Sequence, residues 1–462
     1  MAEAPPLPLV FVPGVMGSRL KLSAIPAALG GVKAPMDWDP DNKAKFLVEW
    51  AFGTQSDRRY ALTAGRAAGI SAPTFTALPT LAAVRIDVLF KYASVVPKKV
   101  PPSVFFGTNR NWASVAWGFY GSFLTSTQLR LNPEKQPENV PVYAFGYDWR
   151  QSNLTSGAQL KQYISKVLAL HPSANRVICV THSMGGLVFR SMRQLDAAWV
   201  DSAVKSVVHV AQPSIGAPVA YVRYANGVEP GGRAIDVLTG NPADFFLSMA
   251  LGSEITGTSA AKGRAKAALK KAIFGPGFLG WGMGKAISEL TITPSPTNYQ
   301  ALLGTLPGPN ELLPAPSYNL PRAYSGWIRV DGAAVANPSD AYGGKPLNPY
   351  LEIPAPARTA AAAFHSVVTD LVVHPKTYVI SGTGHSTMVR TEFRAGSMPV
   401  AGPTFDTAGD GTVPEHSGNC ATLGAGLTRF APYPADHSGI FDVVDVAKKL
   451  RSILRAEAGF SP

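Results

Sequence analysis

Val177, Ile178, Cys179 and Val180 form a short apolar run of β-type residues with no polar alternation, the pattern of a strand buried on both faces. Leu187, Ser191, Met192, Leu195 and Trp199 then recur at helical spacing, which predicts a helix running on to about Trp199. Between strand and helix lies Thr181-His182-Ser183-Met184-Gly185. A serine on such a tight turn has its hydroxyl held clear of the backbone, and the amide after it and the helix N-terminus face any negative charge that develops beside it. The segment reads as a nucleophile elbow, with Thr181 where the pattern Gly-x-Ser-x-Gly has its first glycine. Thr adds a branched Cβ at a place where backbones approach. Read alone, the same residues could be an ordinary helix N-cap, so the rest of the chain has to decide.

The chain has 462 residues, enough for one large core or two to three domains, and 46% hydrophobic residues place it among globular proteins. With 44 Gly and 40 Pro, many loops are expected. Charge or proline interrupts every long apolar run below membrane-spanning length. The opening Met-Ala-Glu-Ala-Pro-Pro-Leu-Pro lacks a basic n-region and a long apolar core, so no signal peptide is expected. Two cysteines cannot build a disulfide framework, and a reduced, cytoplasmic protein is the simplest expectation. The formal net charge of +12 comes without any nucleic-acid-binding signature. It suits peripheral contact with an anionic lipid surface, or a merely solubilising surface.

Leu7 to Val12 reads as a first strand that runs into Pro13-Gly14-Val15-Met16-Gly17-Ser18. Such a loop leaves backbone N–H groups free to face a ligand, and Val15 and Met184 are the candidate oxyanion donors. Residues 30–125 break the strand–helix alternation and carry Trp38, Trp50, Trp112 and Trp117. They read as a first cap insertion that partly covers the core, whose aromatics pack a satellite core or dip into a lipid interface. Val140 to Tyr147 predicts a strand ending in Tyr147-Asp148-Trp149-Arg150, with Asp148 and Arg150 as a structural brace. Ser156 to Leu170 predicts a helix, and Val204 to Ala211 a further strand. Residues 214–375 read as a cap and lid insertion. It includes a basic helix at Ala260 to Lys271, a Gly-hinged apolar loop at Gly275 to Gly284, Glu311-Leu312-Leu313-Pro314, and a hairpin from Trp327 to Val335. Residues 376–462 bring back the core, with a strand at Thr377 to Gly382, another at Arg429 to Tyr433, and a closing helix at Val443 to Leu454.

Two loops in this last part carry chemistry: Gly409-Asp410-Gly411-Thr412-Val413-Pro414 and Ala435-Asp436-His437-Ser438-Gly439. Ser183, Asp410 and His437 occur in the chain order Ser…Asp…His of the α/β-hydrolase arrangement. A serine hydroxyl needs a base to take its proton, the base must later protonate the leaving alcohol, and a carboxylate must hold the imidazole tautomer. Asp406 and Asp436 compete for the carboxylate role, and His385 and His416 for the base. His182, beside the nucleophile, is expected to pack against the sheet. No cofactor or metal is called for.

Val12-Pro13-Gly14, Tyr147-Asp148-Trp149-Arg150, His182-Ser183-Met184-Gly185-Gly186, Glu311-Leu312-Leu313-Pro314, Gly409-Asp410-Gly411-Thr412-Val413-Pro414 and His437 together resemble the lecithin:cholesterol acyltransferase family, which includes lysosomal phospholipase A2-like and phospholipid:diacylglycerol acyltransferase relatives. The resemblance implies one α/β-hydrolase domain over 1–462, with a mostly parallel central sheet flanked by helices and cap and lid insertions. It implies acyl transfer or hydrolysis on a phospholipid or other lipid ester through an acyl-serine. By position it assigns Ser183, Asp410 and His437 as the triad, and Val15 and Met184 as the oxyanion residues. Two other readings stay open: a carboxylesterase acting on soluble or polymeric esters, and a non-catalytic hydrolase-fold protein that binds lipid or a partner.

Overall fold

The computed structural model describes residues 6–20, 110–132, 139–220, 306–319, 327–330, 333–334, 355–368, 372–393, 401–406, 408–424 and 426–460. The first half runs β1 (Leu9–Val12), α1 (Trp117–Leu131), β2 (Val142–Ala144), α2 (Asn153–Leu170), β3 (Val177–His182), α3 (Gly185–Leu195), α4 (Ala197–Ala203) and β4 (Val204–Val210). After a short helical turn α5 (Pro307–Asn310) come β5 (Ile328–Val330), β6 (Ala333–Ala334), α6 (Ala355–Val367), β7 (Thr377–Ile380), β8 (Gly382–Thr383), β9 (Thr387–Phe393), β10 (Ala401–Asp406), β11 (Leu427–Arg429), β12 (Tyr433–Pro434) and α7 (Val444–Glu457).

Among the described residues six strands form the central sheet in the order β11-β7-β4-β3-β1-β2, and every neighbouring pair is parallel. Parallel strands need crossovers, and helices supply them on both faces. The side chains of each strand divide between these faces, as a period of two requires. Val10, Val12, Tyr143 and Cys179 pack with Leu160 and Ile164 of α2 and Val188 and Met192 of α3. Leu9, Phe11, Ile178 and Val180 pack with Phe123 and Leu124 of α1 and Val446 and Leu450 of α7. All of these residues are at most 5% exposed. The apolar run at 177–180 is therefore unalternating because it has two cores to fill.

The chain starts in β1, moves outward to β2, then crosses to β3 on the other side of β1 and continues outward through β4, β7 and β11. Adjacent strands that lead away in opposite directions leave a crevice at their carboxyl ends. The loop after β1 and the turn after β3 meet there. A second sheet, β10-β9-β5-β6, contains the hairpin expected near Trp327, with β5 and β6 antiparallel. No helix among the described residues is long and apolar enough to cross a membrane.

Several local expectations need correction. The helix expected to reach Trp199 stops at Leu195, where Asp196 caps a new helix, its Oδ1 accepting from Trp199 N–H at 3.0 Å. The strand expected over 429–433 is two short pieces, β11 on β7 and β12 on β8. The helix expected from Ser156 starts at Asn153, capped by Ser152, whose hydroxyl accepts from Leu154 N–H at 3.2 Å. Within the 30–125 stretch, α1 lies on the central sheet, where Phe123 packs on Phe11 with ring centroids 5.2 Å apart. Within the 214–375 stretch, Glu311 reaches back to the start of α2. The remainder of the first cap stretch up to 109, and the basic helix and Gly-hinged loop at 260–284, lie outside the described residues.

Candidate active site

Ser183 follows the last residue of β3 and has φ +51°, a left-handed conformation that a non-glycine residue rarely adopts and that packing must enforce. Its N–H donates to Val210 O at 3.0 Å, and its C=O accepts from Gly186 N–H at 3.0 Å, so the turn is fastened to β4 on one side and to α3 on the other. The close backbone approach falls at Gly185: a methyl group there would stand 2.5 Å from Val12 O and 2.6 Å from Pro13 O. Thr181 is accommodated because its hydroxyl is hydrogen-bonded to Nδ1 of His209 on β4 at 2.8 Å, in a fully buried site. Burial holds the His209 imidazole down to about 3, hence neutral, as an apolar core demands. Gly185→Ala should displace the turn by a few tenths of an ångström or more. Activity then falls about 100-fold while the far-ultraviolet circular dichroism spectrum stays native; an unchanged rate would mean the turn tolerates the shift.

Ser183 Oγ lies 2.9 Å from His437 Nε2, and His437 Nδ1 lies 2.7 Å from Asp410 Oδ2. The side chain of Asp410 is 2% exposed and that of His437 12%. Asp410 Oδ1 accepts from Thr412 N–H at 3.0 Å and Val413 N–H at 2.7 Å, a turn that Gly411 closes with φ +87°. His437 N–H donates to Asp410 O at 2.8 Å, so the two loops are tied by backbone as well as side chain. A carboxylate that receives Nδ1–H leaves the Nε2 lone pair facing the serine hydroxyl, the arrangement that can take a proton from it.

The loop after β1 sits against the same serine. A methyl at Gly14 would stand 2.9 Å from Ser183 Cβ. Tyr147 O–H donates to Pro13 O at 3.0 Å, Ser18 Oγ accepts from Tyr147 N–H at 3.0 Å, and Gly17 N–H donates to Gly14 O at 3.1 Å. The first residue of the Tyr147-Asp148-Trp149-Arg150 motif thus pins this loop. The next, Asp148, pairs with Arg150 of the same motif at 2.6 Å. The N–H groups of Val15 and Met184 meet no acceptor among the described residues. An unmatched N–H at the first turn of a helix is a ready donor to an anion.

Of the competing residues, Asp436 and His416 have their side chains engaged elsewhere, and His385 and Asp406 are placed by backbone pairing. Asp436 Oδ1 accepts from Ser438 and Gly439 N–H at 3.1 and 2.8 Å. His385 N–H donates to Gly409 O at 3.0 Å, bracing the Asp410 turn through backbone. Asp406 ends β10, with Thr387 as its backbone partner. His416 is buried against the Tyr318 ring at 4.5 Å, and burial draws its imidazole down to about 4. His182 does not simply rest on the sheet: Nδ1 is 2.9 Å from Tyr120 Oη, and Nε2 is 3.0 Å from His437 O. Tyr120 carries no local sequence signal for this contact, because it arrives from a stretch with the composition of a cap. Among the described residues no cluster of three or more His, Cys, Asp or Glu is placed to hold a metal. Cys179 and Cys420 are buried thiols, not joined in a disulfide.

Residues 136–241 match the family described as lecithin:cholesterol acyltransferase. No curated protein gives a significant match to the sequence. Among solved structures, a chain from the crystal structure of the Tle4–Tli4 complex superimposes with a TM-score of 0.65 at 16% identity, covering 100% of both chains; at that identity the likeness concerns the fold. The chain therefore has an α/β-hydrolase fold, and the stretch similar to the lecithin:cholesterol acyltransferase family is residues 136–241, which carry β3, the turn at Ser183 and β4.

Proposed function

We propose that the chain is a serine-dependent lipid acyltransferase or lipase, in which Ser183 accepts an acyl group from a phospholipid or other lipid ester. The observation that carries this reading is the hydrogen-bonded line from Ser183 through His437 to Asp410, beside two unmatched amides. The family match over 136–241 supports the lipid character.

In this mechanism Nε2 of His437 takes the proton of Ser183 as Oγ attacks the ester carbonyl. The carbonyl oxygen becomes an oxyanion, received by the N–H groups of Val15 and Met184, each worth about 3 kcal/mol in the transition state. Asp410 stabilises the imidazolium. Collapse of the tetrahedral species breaks the bond to the leaving alkoxide, which receives the proton from Nε2, and leaves an acyl-Ser183. Water or a second alcohol then gives its proton to Nε2 and attacks the acyl carbon, and the bond to Oγ breaks as Nε2 returns the proton to Ser183. How far water is excluded from the site decides whether water or alcohol resolves the acyl-serine, and the basic character of the chain would favour anionic lipid surfaces.

Product analysis tests the reading. The wild type and Ser183→Ala are incubated with mixed phospholipids and neutral alcohols. Free fatty acid alone means hydrolysis, a new ester means transfer, and either must vanish in Ser183→Ala. Turnover of soluble esters with none on vesicles or micelles would favour a carboxylesterase. Absence of Ser183 labelling by a fluorophosphonate would overturn the serine chemistry altogether.

A further inference from the structure

Gly14 N–H donates to Tyr120 Oη at 3.1 Å, Tyr120 Oη meets His182 Nδ1 at 2.9 Å, and His182 Nε2 meets His437 O at 3.0 Å. The two ends of this chain have fixed polarity. An amide N–H only donates, and a carbonyl only accepts. Tyr120 therefore accepts from Gly14 and donates its own hydrogen to His182 Nδ1, and the imidazole carries its hydrogen on Nε2, where it donates to His437 O. Every link is satisfied with one tautomer and no alternative.

We propose that Tyr120 and His182 are positioning residues that lock the loop carrying Val15 to the loop carrying His437, so that the oxyanion donors and the base keep a fixed separation across Ser183. This role rests on the serine chemistry proposed above and adds to it two residues that touch no reacting atom. The relay crosses the sheet topology: Gly14 follows β1, Tyr120 belongs to α1, His182 ends β3, and His437 lies after β12. Four separate parts of the chain are joined by three hydrogen bonds immediately behind the nucleophile.

The surroundings are built to hold it. Tyr120 is 4% exposed and His182 5%. Phe441 packs edge-on against both rings, at 6.2 Å from Tyr120 and 5.4 Å from His182, and Phe11 lies 4.8 Å from Tyr120. A methyl at Gly14 would come within 3.2 Å of His182 Nδ1, so the missing side chain leaves space for the relay. Burial, with the nearby His437, pushes the His182 imidazole down to about 3, and burial pushes the Tyr120 hydroxyl up. Both groups stay neutral, so neither adds a charge behind the base. Buried polar networks in which every member is satisfied are rigid, and removing one member strands its partners.

The test has a kinetic and a spectroscopic arm. Tyr120→Phe keeps the ring and removes the hydroxyl; His182→Gln keeps a donor toward His437 O and removes the imidazole. On a soluble chromogenic ester each variant should lose about 10- to 100-fold in kcat with KM within about twofold. The double variant should be no worse than the poorer single, because both break one chain. Losses that multiply, or that fall on KM or thermal stability with kcat preserved, would overturn the proposal. If Tyr120→Phe does not fold, His182→Gln carries the kinetic arm. Independently, nitrogen-15 histidine spectra of the wild type should show His182 as the Nε2–H tautomer with Nδ1 hydrogen-bonded. A hydrogen on Nδ1 would end the relay even in an active enzyme. If the wild type shows no Ser183-dependent turnover, the serine chemistry fails by itself, and the spectra still decide whether the relay exists.

Discussion

Asp410→Asn is expected to lower kcat by about 10⁴-fold while leaving the fold and the position of His437 nearly unchanged. The reason lies in the direction of hydrogens. Asp410 Oδ1 is held by Thr412 and Val413 N–H, and Oδ2 faces His437 Nδ1 at 2.7 Å. An asparagine keeps its oxygen toward the two backbone donors, which leaves its NH₂ facing Nδ1. The imidazole must then accept at Nδ1 and carry its hydrogen on Nε2. That hydrogen points at Ser183 Oγ, 2.9 Å away, and the base has no lone pair with which to receive the serine proton. Ser183→Ala removes the nucleophile itself, and a loss of about 10⁶-fold in kcat is expected, leaving only what binding and the oxyanion donors provide. Asp436→Asn should stay within a few-fold of wild type, since that carboxylate serves its own turn. The measurements are kcat on a soluble ester, the rate of fluorophosphonate labelling, and thermal melting as a control for folding. Activity within tenfold of wild type in Asp410→Asn, or a large loss in Asp436→Asn, would remove Asp410 from its proposed role.

The parts of this architecture that are readable from sequence are those whose causes are local. Val177 to Val180 has to be a doubly buried strand because no polar residue interrupts the run, and the close approach behind the serine requires a residue without a side chain at position 185. The order of Ser183, Asp410 and His437 can be read because each stands in a short loop with its own turn chemistry. What sequence does not show depends on partners distant in the chain. Thr181 departs from the usual pattern, and its partner, His209, is on the neighbouring strand. The helix break at Asp196 is hidden by apolar residues that continue in phase into α4, although an Asp accepting from Trp199 N–H is an ordinary capping signal. Tyr120 acts through a hydroxyl 62 positions from its histidine, in a stretch whose aromatics suggest only packing. Glu311 lies 158 positions from the helix it caps, so its motif is visible while its task is not.

Replacing Glu311 should have the largest effect on stability, and the effect should depend on pH. Its carboxylate is 1% exposed. It accepts from Ser152 Oγ–H at 2.6 Å, Asn153 N–H at 2.7 Å and Asn153 Nδ2–H at 2.8 Å, which places it at the N-terminus of α2, where the helix dipole favours an acid. The segment that carries it is bonded to two loops at the carboxyl ends of strands: Gly308 N–H donates to Arg150 O at 3.3 Å, and Ala217 N–H to Leu312 O at 2.9 Å. Glu311→Ala strands two buried donors of Asn153 and the part-buried Ser152 hydroxyl, and should cost about 3 kcal/mol. Glu311→Gln separates charge from shape. Burial outweighs the three donors and raises the Glu311 carboxyl from 4.5 to about 7. A carboxyl with a raised value binds its proton more tightly in the folded chain than in the unfolded one, so its stabilisation is complete below about pH 4.5 and is lost as pH rises through 7. A tenfold change in proton affinity corresponds to about 1.4 kcal/mol, so the wild type should lose about 2 to 3 kcal/mol relative to Glu311→Gln between pH 5 and pH 8. Titrations of all other groups cancel in that difference when the two proteins are compared at each pH. Urea unfolding of both proteins at the two pH values measures it. A difference that does not change with pH would mean that the carboxyl keeps its ordinary affinity for the proton and caps α2 as an anion throughout.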